Sequence, residues 1–174
     1  MLFRSDVVGY GAFPNRCASL IAAQATVGLA GNHDLAAIGR LSIGEFSADA
    51  AVAARWTANE LDGNAREYLA TLAPELKRPG ADLFHGSPRD PIWDYVLSNE
   101  SARESLALTT APLVLVGHTH VPLALAEEDG ELVGGLATDG ATVELDGRWL
   151  LNPGDRKSTR LNSSHGYISY AVFC

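Results

Sequence analysis

Two rhythms of apolar residues alternate along this chain. Short apolar runs cut off by glycine, proline or polar turns read as buried strands at Thr26 to Ala30, Asp82 to His85 and Leu113 to Val116, the last being the clearest central strand. Between them the apolar spacing turns helical. Pro14 near a helix start, with Leu20 and Ile21 on one face, predicts a short helix over Pro14 to Ala23. Ser47 is placed to cap a second helix, with Ala50, Ala53, Ala54 and Leu61 packing around a core Trp56. A third runs from Asn64 to Leu72, and Ser98 or Asn99 caps a fourth that ends near Leu108. Pro74 and Pro79 bracket the approach to the middle strand, and the proline-rich loop Gly86 to Pro91 follows it. Beyond Val116 the pattern changes to short strands at Leu123 to Leu125, Leu132 to Val133, Thr142 to Leu145 and Arg148 to Leu151. Asp129-Gly130 and Asp146-Gly147 sit at hairpin-turn positions, which predicts a second, mainly antiparallel sheet.

Composition bounds the class. The 174 residues suit one α/β domain with a sizeable core, and 47% hydrophobic with 20% charged residues is ordinary for a soluble globular protein. A formal net charge of -8 argues against a nucleic-acid backbone or an anionic membrane as the main partner. It leaves room for a small phosphate ligand, because bound divalent cations reverse the local field. Cys17 and Cys174 are too few for a disulfide framework or a zinc knuckle, so a cytoplasmic setting is expected, with Cys17 as a small buried apolar residue. No apolar run has the length of a membrane span.

Histidine carries the chemistry. Four of the five histidines lie in Gly31-Asn32-His33-Asp34, Leu83-Phe84-His85-Gly86 and Gly117-His118-Thr119-His120, each after a strand candidate. Strand-to-loop junctions give a rigid frame for the oxygen and imidazole donors that a hard divalent ion takes. Asp6 offers a carboxylate able to bridge two ions, Asn32 an amide oxygen, and His85 and His118 ring nitrogens. In the last motif the glycine permits a sharp turn, and the i, i+2 spacing of His118 and His120 aims both rings at one cleft if the segment stays extended. Two ions roughly 3.5–4 Å apart clamp phosphoryl oxygens and lower the pKa of a bridging water. Other roles stay open at this level. His33 and Asp34 can cap the short helix from Leu35, Arg89 can contact a substrate phosphate or pair with Asp90 or Asp94, and Tyr10, Trp93 and Tyr95 can line a cleft or simply pack.

The ordered set Asp6, Gly31-Asn32-His33-Asp34, His85 and Gly117-His118-Thr119-His120 resembles the calcineurin-like metallophosphoesterase superfamily, in particular its small bacterial and archaeal phosphodiesterase-type members. The likeness spans Asp6 to Gly154. It implies a four-layer αββα sandwich with the site at strand ends. It implies two divalent ions, manganese first and iron, nickel or magnesium as alternatives. By the resemblance, Asp6 bridges the ions, Asn32, His85 and His118 complete one of them, and His120 binds the other. His33 becomes the general acid, with Asp34 orienting its ring, and Arg89 and Tyr10 are substrate-binding candidates. The implied reaction is hydrolysis of a small phosphodiester or phosphomonoester by in-line attack of a metal-bound hydroxide.

Departures from the family pattern sit at both ends. The family's first strand carries Asp-x-His, and no such motif precedes Asp6. Asn152-Pro153-Gly154 matches a further family segment, which normally continues with serine. Asp155 to His165 and Ile168 to Cys174 match the translation of a common sequencing-library adapter, and Leu2 to Ser5 match the reverse complement of its opening. Residues 1–5 and 155–174 are therefore read as adapter-derived and residues 6–154 as a partial metallophosphoesterase domain lacking its first strand and C-terminal part. On that reading one metal site is complete, the other has lost donors, and activity is impaired. The alternative is a non-catalytic metal-binding or regulatory module of the same fold, against which the intact His33-Asp34 pair argues.

Overall fold

The computed structural model describes residues 3–138 and 142–154, so the tail expected to derive from adapter lies outside the described residues. These fall into two compact units, one ending at Pro74 and the other beginning at Glu75, where the sequence pattern predicts a single domain. Both mix helices with strands, so the class is α/β as expected.

The first unit pairs two short parallel strands, β1 (Phe3–Arg4) and β2 (Val27–Gly28). Residues 3 and 4, which the adapter match puts outside the domain, thus form a strand beside β2, and Leu29 N donates to Arg4 O at 2.8 Å to extend the pairing. Helix α1 (Pro14–Gln24) starts at the proline that predicts it. Helix α2 (Asn32–Ala37) begins inside the histidine motif rather than at Leu35. A single 3-10 turn (Ile43–Glu45) leads to α3 (Ala48–Glu60), where the Ser47 hydroxyl accepts from Ala50 N, and then to α4 (Gly63–Thr71). Val7, Val8, Cys17, Ala18, Ile21, Ala37, Leu61, Ala65 and Leu69 form the core of this unit. Trp56 does not belong to it. The buried positions of α3 are Ala51, Ala54 and Thr57, a stripe at helical spacing that leaves Trp56 turned outward and 41% exposed.

The second unit is a six-stranded sheet in the order β3-β4-β5-β8-β6-β7. The strands are β3 (Glu75–Arg78), β4 (Ala81–Phe84), β5 (Leu113–Leu115), β6 (Leu123–Glu128), β7 (Glu131–Leu136) and β8 (Arg148–Asn152). Helix α5 (Asn99–Ala107), capped by Ser98, packs Ala102 and Leu106 with Phe84, Val96, Val114, Val116, Leu125 and Leu150. Three expectations need correction. The late strands are no second sheet, because β8 runs parallel to β5 on one side and antiparallel to β6 on the other and so joins both groups. Thr142 to Leu145 is not a strand, and the chain enters the sheet only at Arg148. Strand β3, missed in the sequence, forms an antiparallel hairpin with β4 through Pro79-Gly80, where Gly80 adopts φ +83°.

Two parallel arrangements position the chemistry. Strands β1 and β2 run out together toward Asp6 and Gly31, and β4, β5 and β8 run out together toward His85, Gly117 and Asn152. Loops at the carboxyl ends of parallel strands are where open α/β sheets place ligands.

Truncating Leu69, which is fully buried, to alanine is expected to lower unfolding stability by about 2–5 kcal/mol. Trp56→Ala is expected to stay near about 0.5 kcal/mol. Urea titration of both variants checks the pair, and a larger loss for Trp56 would contradict the outward placement.

Candidate functional site

In the first unit the Asp6 and Asn32 motifs are bound into one piece by Asp34. Its carboxylate is fully buried and accepts from three backbone donors: Val7 N (3.0 Å) and Gly31 N (2.9 Å) on Oδ2, and Val8 N (2.9 Å) on Oδ1. The ring-orienting role expected of Asp34 is not what these bonds do. They tie the segment after Asp6 to the turn before Asn32. Burial first, then the neighbouring Asp6 charge, push the Asp34 carboxyl up to about 8, against the downward pull of the three N–H groups.

Asp6 itself sits at φ +51°, and its Oδ1 accepts from His33 N at 3.2 Å. Its carboxylate lies so close to Gly31 that a Cβ there would fall 1.8 Å from Oδ1 and 2.9 Å from the Asp6 backbone nitrogen. The glycine of Gly31-Asn32-His33-Asp34 is therefore required by close approach. Asn32 and His33 are buried at the start of α2. The His33 ring is bounded by Tyr10, with centroids 4.4 Å apart, and by the edge of Phe46 at 5.1 Å. Gly9, at φ +104°, presses against it closely enough that a Cβ would meet His33 atoms at 2.7 Å. Neither Gly9 nor Phe46 is among the residues that the sequence pattern singles out.

In the second unit β4 delivers His85 and β5 delivers the other histidine motif. His85 is 1% exposed, and its Nε2 lies 3.1 Å from His118 Nδ1. Two nitrogens each about 2.1 Å from one ion at a near-right angle stand about 3 Å apart, so this pair fits shared coordination. Burial, with His120 as a secondary cause, pushes the His85 ring down to about 3. It is neutral at physiological pH, as a metal-ligating imidazole must be.

The segment holding His118 is not extended. His118 has φ +60°, and Thr119 N donates to Gly117 O at 2.6 Å, which closes a γ-turn of the rare positive-φ kind. His120 follows at φ +59°. The strain sits on the histidines themselves and not on Gly117. Each such residue costs of order 1–3 kcal/mol and persists only where its surroundings over-determine it.

Tyr95 stacks on the His118 ring at 4.2 Å and Trp93 meets its edge at 6.2 Å, so both aromatics border the histidine loop. The loop that carries them is tightly bonded, with Ser87 Oγ donating to Asp94 Oδ2 at 2.5 Å and Ser87 N donating to Asp90 O at 3.0 Å. Arg89 is drawn into this structure. Its guanidinium pairs with Asp94 (2.6 Å) and Glu104 (2.5 Å), which favours the ion-pair reading over a phosphate contact.

With this geometry in place, the likenesses to known proteins can be weighed. The chain is 38% identical to a metallophosphoesterase from Sphaerobacter thermophilus of known crystal structure, with a TM-score of 0.74 over 86% of this chain and 63% of that one. The chain belongs to the calcineurin-like metallophosphoesterase superfamily. It is also 30% identical, over 97% of its length, to the uncharacterized protein MJ0912 of Methanocaldococcus jannaschii, of which it covers 68%. The crystal structure of hypothetical protein PH1004 from Pyrococcus horikoshii OT3, at 16% identity and a TM-score of 0.63 over 95% of this chain and 81% of that one, shares the fold. No family model matches. The chain thus spans less than two thirds of the length of the Sphaerobacter metallophosphoesterase. Among the described residues, no helix is long and apolar enough to cross a membrane.

Two outcomes test the site. Gly31→Ala is expected to cost about 1–3 kcal/mol in thermal or urea unfolding because the Asp6 loop must move, whereas Gly63→Ala, with open space around it, is expected to be neutral or slightly stabilising. For His85, the folded value near 3 lies below the ordinary 6.5, so the ring charges only as pH falls toward 3. In metal-free protein its ring resonances are expected to stay flat from pH 8 down to 5, and a midpoint near 6.5 would contradict the buried neutral ring.

Proposed function

We propose that this chain is a divalent-metal-dependent phosphoesterase, with a small phosphodiester or phosphomonoester as substrate. The observation that carries the reading is where backbone strain falls. Asp6, His118 and His120 account for three of the four non-glycine residues at positive φ among the described residues, and all three are ligand candidates by the family resemblance. Strain of this kind clusters at functional sites. Asp6, His85 and His118 bring one carboxylate oxygen and two ring nitrogens, a donor chemistry suited to manganese, with iron, nickel and magnesium as alternatives. Asn32 would offer an amide oxygen and His120 a further ring nitrogen to such ions. Divalent ions bound by these residues would activate a water and neutralise charge on the phosphoryl oxygens.

The remaining steps belong to the chain's own side chains. His33, walled by Gly9, Tyr10 and Phe46, holds a proton on its ring and gives it to the departing ester oxygen. Its backbone N–H to Asp6 Oδ1 couples the acid's position to the bridging carboxylate. Asp34 acts on the backbone that carries both. Tyr10, half turned to solvent beside His33, is the candidate to meet the substrate.

The test is hydrolysis of a nitrophenyl phosphodiester, its monoester and the corresponding alkyl esters, with manganese and with chelator. Turnover is expected only with manganese. His33→Ala should lower kcat on the alkyl esters by about 100- to 10,000-fold, and by less on the nitrophenyl esters, whose leaving oxygen needs little protonation. Bound manganese without turnover on any ester would replace this reading with the non-catalytic metal-binding module.

A further inference from the structure

We infer that Asn152 is a positioning residue that, with Thr119, holds the His118-His120 loop in its metal-ready form. Asn152 ends β8 and is buried, and its amide uses every bond it can reach along the loop. Nδ2 donates to Gly117 O at 3.0 Å and to Thr119 Oγ1 at 2.8 Å, while Oδ1 accepts from Gly154 N at 2.8 Å. One side chain thus grips both sequence neighbours of His118. Thr119 Oγ1 passes the hold onward by accepting from Val121 N at 3.2 Å, which brackets His120 from its far side.

This bonding goes beyond what a turn at the end of β8 requires. The Oδ1 contact to Gly154 alone makes the local turn. Both Nδ2 bonds run instead to another loop, 33 and 35 residues away in sequence, whose central residue sits in a strained γ-turn. Without such a hold, His118 would relax toward negative φ and swing its ring away from His85. The parallel register of β5 and β8, continued by Val116 N to Leu151 O at 2.9 Å, is what brings Asn152 to that loop.

The inference rests on the metal reading above, and the experiment separates the two. Manganese binding to the full chain is measured by equilibrium dialysis, without substrate, for the parent, Asn152→Leu, Thr119→Val, their double variant and Thr119→Ser, alongside thermal unfolding of each metal-free protein. Asn152→Leu and Thr119→Val are each expected to weaken binding by about 10- to 100-fold. The double variant should be little worse than the weaker single one, because both break the same hold, and Thr119→Ser should bind like the parent. A merely structural role would lower the metal-free unfolding temperature and leave affinity unchanged; parent-like affinity in folded Thr119→Val and Asn152→Leu overturns the inference. Should Asn152→Leu fail to fold, Thr119→Val against Thr119→Ser decides alone. A parent chain that binds no manganese would instead overturn the metal reading.

Discussion

Three backbone N–H groups converge on the Asp34 carboxylate, and the chemistry of the first unit depends on that convergence. A carboxyl group buried this deeply is costly unless its oxygens are hydrogen-bonded. Here Val7, Val8 and Gly31 supply those bonds, and in doing so join the segment that follows Asp6 to the turn that starts α2. Asp6 then lies against Gly31, close enough that no larger residue fits, and accepts from His33 N. A single buried acid thereby fixes Asp6 and His33 relative to each other.

The second unit solves the same problem with strands. Parallel β4 and β5 end side by side, Gly117 N donates to His85 O at 2.9 Å, and the two rings arrive with nitrogens 3.1 Å apart. Burial keeps His85 neutral. The cost is paid in the backbone, where His118 and His120 stand at positive φ although neither is glycine. Such a conformation is poor for stability, and it survives because neighbouring bonds leave the loop no alternative.

The chain shares its superfamily with the Sphaerobacter metallophosphoesterase, while the surroundings of its histidines are its own. Tyr10 and Phe46 enclose His33, and Tyr95 and Trp93 border His118, so aromatic rings adjoin both the acid candidate and a ligand candidate. Arg89, the other residue considered for substrate contact, is held by Asp94 and Glu104. Against Asp94, burial raises the carboxyl but the hydrogen bonds from Arg89 and Ser87 outweigh it, so the net direction is downward and the pair is internally matched.

The candidate ligand residues stood out in the sequence because histidine is rare and its motifs follow apolar runs, and the ordered set pointed to the family. Helices α1, α3, α4 and α5 were legible from Pro14, Ser47, Ser98 and apolar spacing, since caps and periodicity act over a few residues. What the pattern could not show was long-range pairing. That β8 would insert between β5 and β6 depends on partners far apart in the chain. Trp56 was misplaced because hydrophobicity alone does not set the phase of a helix against its core. The sequence by itself determined which residues could serve as donors and their order, since those are properties of residue type. Only the tertiary structure decided that Asp34 serves the backbone, that His118 turns, and that Arg89 is already paired, because each depends on which distant groups come within hydrogen-bond reach.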